Sequence, residues 1–266
     1  MHTKTTYEKY ENLPARSFNE MERGTVYEGY PYFPHLAYRE YLRELREADT
    51  EAPSLYVSMA ITSGGYRRDA SLSIEEVVAR NTAYGRHLRD FFSEQGIAPN
   101  IVVIPSELAA MRNAQWGQLD FLMFWFHIMA AVSEHEARYI EDSLRKQGIY
   151  QDAKWAQKKL LSGTREETWQ TYAQFTDNYA EIVKTMHTTP MRGVIGALDA
   201  EESLGGSAEK RLARLLQIPY YTMNVQENIL HPEFKKELDV LTELGAKAIN
   251  TFSEQGPQII LQSVDF

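Results

Sequence analysis

The chain has 266 residues, 43% of them hydrophobic and 12% aromatic, with a formal net charge of −9 and no cysteine; it is long enough for a sizeable core, and disulfide frameworks and thiolate metal sites are excluded. The acidic balance disfavours a nucleic-acid polymer as partner, because phosphate backbones are held by local excesses of Lys and Arg, although a small phosphorylated ligand at a helix N-terminus remains compatible. No apolar run approaches the roughly 20 residues of a bilayer span, and the stretch MHTKTTYEKYENLPARS lacks the apolar core of a secretory signal, so no membrane partner and a cytoplasmic location are expected.

Residues 1–52 read as an irregular, Tyr-rich lead-in followed by one amphipathic helix, YREYLRELREAD. The run SLYVSMAIT, Ser54 to Thr62, ends in the breaker Ser63-Gly64-Gly65 and reads as a buried strand. Ser73 and Glu76 form a capping-box pattern. Ile74, Val77, Val78, Asn81, Tyr84, Leu88, Phe91 and Phe92 then recur at helical spacing up to Gly96. NIVVIP, Asn100 to Pro105, is a second short strand, and strand, helix and strand in that order imply a parallel pairing.

The rhythm breaks over 107–187. This segment carries QLDFLMFWFHIMAAV, capping boxes at Ser133/Glu136 and Thr164/Glu167, and helical spacing through Trp169, Tyr172, Tyr179 and Ile182, so a helical insertion is expected. The alternation resumes with RGVIGAL, a Gly-containing turn at Ser203 to Gly206, a helix through Leu216 and the strand IPYYTM. A helix around Glu233 to Phe252 and the strand PQIILQSV complete the chain. The expected fold is therefore α/β, a doubly wound, five-stranded, mostly parallel, Rossmann-like sheet. Its catalytic core spans 53–106 and 188–266, and 107–187 is inserted into it.

Open parallel sheets bind ligands beyond the carboxyl ends of their strands. Two loops fall there. In the first, Gly64 and Gly65 permit close backbone approach, and Arg67 and Arg68 are able to meet an anion. The second, DAEESLGGSAE from Asp199 to Glu209, leads into a helix whose first amides, with the Ser203 hydroxyl, suit a phosphate. Glu209 reads on spacing either as a dipole partner in the first helical turn or as a carboxylate nucleophile for an anomeric carbon. Spacing alone leaves both open.

The segment S-L-G-x-x-x-E-x-x-x-A, here Ser203, Leu204, Gly205, Glu209 and Ala213 before Ile218-Pro219, resembles the signature of the nucleoside 2-deoxyribosyltransferase superfamily, with its 2'-deoxynucleoside 5'-monophosphate N-glycosidase branch nearest. The first strand agrees: Tyr56, Ile61, Gly64, Gly65 and Arg67 are similar to that family's Tyr, Ile, Gly-Gly and Arg. The resemblance covers the α/β core and leaves out residues 1–50 and the insertion. It implies that Glu209 attacks the sugar C1', that Ser203, Gly205 and Gly206 hold the 5'-phosphate or 5'-hydroxyl, and that Tyr56, Ile61 and the Gly64 to Arg67 loop lie near base and phosphate. An aspartate is expected to orient or protonate the base. Asp177 fits by its place before strand three, Asp120 by its distance after strand two, and Asp199 is a third acidic candidate near the substrate. Lys210 stands where the family often has Gly.

The implied activity is cleavage or exchange of the N-glycosidic bond of a nucleoside 5'-monophosphate or nucleoside, with no cofactor and no metal, in a homo-oligomer. Cleavage of the nicotinamide bond of NAD and non-catalytic nucleotide sensing are the alternatives. Glu134-His135-Glu136 is the one local cluster of metal-ligand types, and its members point to different sides of a helix. The aromatic stripe Phe121, Phe124, Trp125 and Phe126 is expected in a core or at a subunit contact. A P-loop is excluded for want of a Lys-Ser or Lys-Thr pair.

Overall fold

The computed structural model describes residues 33–48, 53–59, most of 85–93, 102–108, 116–197 except 153, 200, 203–223 and 261–263. The chain divides into two compact units, one of residues 1–50 with 109–190 and the other of 51–108 with 191–266. The amphipathic helix read from the sequence as a separate lead-in thus belongs to the same unit as most of the inserted helices.

The second unit is α/β. Strands β1 (Leu55–Ser58), β2 (Val102–Val103), β3 (Gly193–Gly196) and β4 (Tyr220–Met223) pair in parallel, in the order β2-β1-β3-β4, and β5 (Leu261–Ser263) joins antiparallel beside β4. An antiparallel edge strand on an otherwise parallel sheet is a common arrangement. The strands are short, apolar runs; Tyr56, Val57, Val102, Val103, Val194 and Ile195 are buried, as expected where both faces of a sheet are covered. The chain steps from β1 to β2 on one side and to β3 on the other, so the direction of winding reverses between β1 and β3. The described residues within 85–93 are helical. Gly85 fits closely among them because any Cβ there would strike the Ser106 hydroxyl in the 3-10 turn that follows β2.

The first unit is helical: α1 (Pro34–Glu47), α2 (Gln118–Ala130), α3 (Glu134–Lys146), the short α4 (Lys154–Gln157) and α5 (Arg165–Lys184). In α2 every residue except Gln118 and Phe121 is buried, the mark of a helix enclosed on all sides rather than one with a single apolar face. Phe124 packs against Tyr41 and Trp116, and Phe126 against Phe175 and Tyr179. This stripe is core, so Phe124, Trp125 and Phe126 offer no surface to a second subunit. The two capping boxes form: Ser133 Oγ accepts from Glu136 N while Ser133 N donates to Glu136 Oε2, and Thr164 does the same with Glu167.

A buried acid–histidine group also lies in this unit. Glu141 is within hydrogen-bond distance of His35 Nδ1 at 2.8 Å and His127 Nε2 at 3.3 Å, and His127 Nδ1 of the Tyr179 hydroxyl at 3.0 Å. The two imidazoles overcome the cost of burial and hold Glu141 down at about 2, whereas burial lowers the His127 pKa. Glu134, His135 and Glu136, the one local cluster of such residue types in the sequence, are not part of this group. His35, His127 and Glu141 come from three helices, and no local spacing links them.

Candidate active site

Parallel register partners lie on the same sheet face. Tyr56 pairs with Val194, Ser58 with Gly196, and Val194 with Tyr220, so Tyr56, Ser58, Gly196 and Tyr220 share one face by the two-residue period of a strand. Helix α6 (Leu204–Leu215) lies against β1, β3 and β4. Its apolar residues Ala208, Leu212 and Ala213 are buried, and the same face carries Glu209.

The two segments read separately from the sequence meet here. The Tyr56 hydroxyl donates to Glu209 Oε1 at 2.7 Å across 153 residues of chain. Glu209 is 5% exposed and Ser58 fully buried, and neither Glu209 Oε2 nor Ser58 Oγ has a hydrogen-bond partner among the described residues. Burial pushes the Glu209 carboxyl up to about 7, against the opposing pull of the nearby Ser58 and Tyr56 hydroxyls. The Tyr56 phenol is in turn raised well above its ordinary value by burial and by the facing Glu209. Gly196 leaves the space that the Tyr220 hydroxyl occupies, because a Cβ would collide with it. Lys210 holds its ammonium 5.4 Å from the centre of the Tyr220 ring, a cation–π distance.

Glu209 is the sixth residue of α6, and no acidic residue stands in that helix's first turn. The dipole-partner reading placed it one turn too early. Dipole stabilisation fades within the first turn, and the buried side chain faces the sheet, so capping electrostatics do not explain this glutamate. The turn before it is built as a cap: Ser203 Oγ accepts from Gly206 N at 2.8 Å and donates to Ala200 O at 3.2 Å. Gly206 is obligatory in this geometry, since a Cβ would run into the Ala200 carbonyl. Gly205 is more open, with only Ser203 Oγ at 3.8 Å from a would-be Cβ.

Among the other expected site residues, Asp120 lies in the helical unit. Its Oδ2 accepts from Gly117 N at 2.7 Å and its Oδ1 from the Tyr150 hydroxyl. Both oxygens are thus occupied in starting α2 and anchoring Tyr150, while burial raises the Asp120 pKa well above its ordinary value. Asp177 lies on α5 and is half-buried. Ile61, Gly64, Gly65, Arg67 and Asp199 lie outside the described residues.

Ser58, Gly196 and Tyr220 escaped the sequence reading. The available signal was the alternation Tyr56-x-Ser58, which puts a hydroxyl two residues from the tyrosine on the same face. Among the described residues no three His, Asp or Glu side chains are grouped to hold a metal ion, and no helix is long and apolar enough to cross a membrane. No protein-family model, curated protein or solved structure matches this chain.

Proposed function

We propose that the α/β unit cleaves, or exchanges, the N-glycosidic bond of a nucleoside 5'-monophosphate or nucleoside, with Glu209 as nucleophile. The observation that carries this reading is the buried Tyr56–Glu209 contact, which leaves one carboxylate oxygen hydrogen-bonded and the other without a partner among the described residues. A carboxylate so fixed suits attack on an anomeric carbon. Oε2 forms a bond to C1' as the C1'–N bond breaks, the electron pair leaves with the base, and the base takes up a proton. Water, or a second base in exchange, then attacks C1' and returns Glu209 as the carboxylate.

On this reading the Ser203 to Gly206 turn lies at the 5' end of the sugar, where the open flank of Gly205 gives backbone amides access to phosphate oxygens. The unit is Rossmann-like and doubly wound, its site at the point where winding reverses. A cytoplasmic homo-oligomer acting on a small nucleotide completes the proposal. The occupied oxygens of Asp120 favour a structural role for it.

Incubation with a panel of ribo- and deoxyribonucleosides, their 5'-monophosphates and NAD, followed by chromatography for free base, tests the reading. Release by the wild type and none by Glu209→Ala is the expected outcome. Equal release by both proteins, or by neither, contradicts it.

A further inference from the structure

We propose that Ser58 is a positioning residue for Glu209: its hydroxyl turns to donate to the ionised Oε2, while Tyr56 holds Oε1, so the carboxylate plane is clamped from two points of the same strand. This rests on the nucleophile assignment above for its catalytic meaning, though not for its structural content. The geometry behind it is independent of that assignment. Tyr56 and Ser58 stand two residues apart on one face of β1, and α6 covers that face. Both Ser58 Oγ and Glu209 Oε2 are buried and have no hydrogen-bond partner among the described residues. The Ser58 hydroxyl lies close enough to act on the Glu209 carboxyl, and two such orphaned atoms, one able to donate and one able only to accept when ionised, are costly apart and are satisfied by a hydroxyl rotation.

The neighbours leave this role to Ser58. From β3 the residues Gly193, Val194, Ile195 and Gly196 contribute no titratable or hydroxyl group. From β4 Tyr220 places its hydroxyl beside Gly196. Within α6 the Lys210 ammonium lies over the Tyr220 ring. A carboxylate oxygen has two lone-pair sites, so Oε2 accepts from Ser58 with one and keeps the other for the anomeric carbon. Tyr56 alone would fix one oxygen and leave the group free to swing about that bond.

The test is a carbon-13 NMR titration of glutamate carboxyls in the full chain, with the Glu209 signal identified by its loss in Glu209→Gln. Ser58→Ala is expected to raise the Glu209 midpoint by about one unit, the equivalent of one hydrogen bond to a charged group. Ser58→Cys, of similar size but a weak donor, is expected to shift it in the same direction and decides the matter if the alanine variant fails to fold. Base release should show kcat falling roughly tenfold, with KM unchanged and the pH midpoint moving up in step. An unshifted Glu209 midpoint in the folded variants overturns the proposal. Undiminished base release by Glu209→Gln would overturn the nucleophile assignment instead, and the titration would still decide Ser58.

Discussion

Glu209 is buried at a cost that falls on its charged form. Its pKa, raised from 4.5 to about 7, means that the folded chain binds more protons than the unfolded chain between those values. Stability therefore declines as pH rises from about 4.5 to 7 and stays reduced above, by an amount on the order of 3 kcal/mol. Glu209→Gln removes the ionisation. Calorimetry is expected to find the variant melting above the wild type at pH 8 and level with it near pH 4.5, with base release abolished. The rate of the wild type should rise with pH through about 7, because only the carboxylate attacks. Tyr56→Phe deletes the donor to Oε1 and is expected to push that midpoint higher and slow base release roughly tenfold or more; an unchanged pH–rate profile would remove Tyr56 from the site. At this scale the sequence was legible only in part. Tyr56 and Glu209 stood out through the two resembling segments, whereas Ser58, Gly196 and Tyr220 acquire meaning only once strand register puts them on one face.

Elements were more legible than the contacts between them. Short apolar runs bounded by Gly and Pro located β1, β2, β3 and β4, and the patterns at Ser133/Glu136 and Thr164/Glu167 marked the starts of α3 and α5. What local pattern could not supply was the antiparallel sense of β5, which depends on a partner strand about 40 residues away, between Tyr221 and Ser263. Nor could it supply the partners of Asp120, which drew notice by its position along the chain and whose oxygens accept from Gly117 N at the start of α2 and from the Tyr150 hydroxyl. The cap of α6 gives a direct test. Ser203→Ala is expected to cost about 1 kcal/mol, and Gly206→Ala more, since its Cβ would meet the Ala200 carbonyl rather than a yielding side chain. Ala131, which closes α2 at φ 48°, offers the opposite change. Ala131→Gly is expected to raise stability by about 1 kcal/mol in denaturant unfolding, because glycine takes the left-handed conformation without a Cβ clash.

Across the whole molecule two buried glutamates carry opposite acid–base signatures. In the helical unit, His35 and His127 hold Glu141 down at about 2, so its contribution to stability is present above about 4.5 and is lost as pH falls toward 2. Glu141→Gln is expected to lower the melting temperature by several degrees at pH 7, with the deficit closing as pH falls toward 2; a deficit independent of pH would show that packing, not charge, is what the substitution removes. Glu209, in the α/β unit, responds the other way over 4.5 to 7. The most direct test of the central claim is peptide mass mapping after incubation with 2'-deoxy-2'-fluoro nucleosides and their 5'-monophosphates, whose fluorine slows turnover of a glycosyl intermediate. The account predicts a fluorosugar or fluorosugar-phosphate mass on the peptide that contains Glu209, lost in Glu209→Gln. Base release with the adduct on another residue, or with no adduct at any time point, would contradict it.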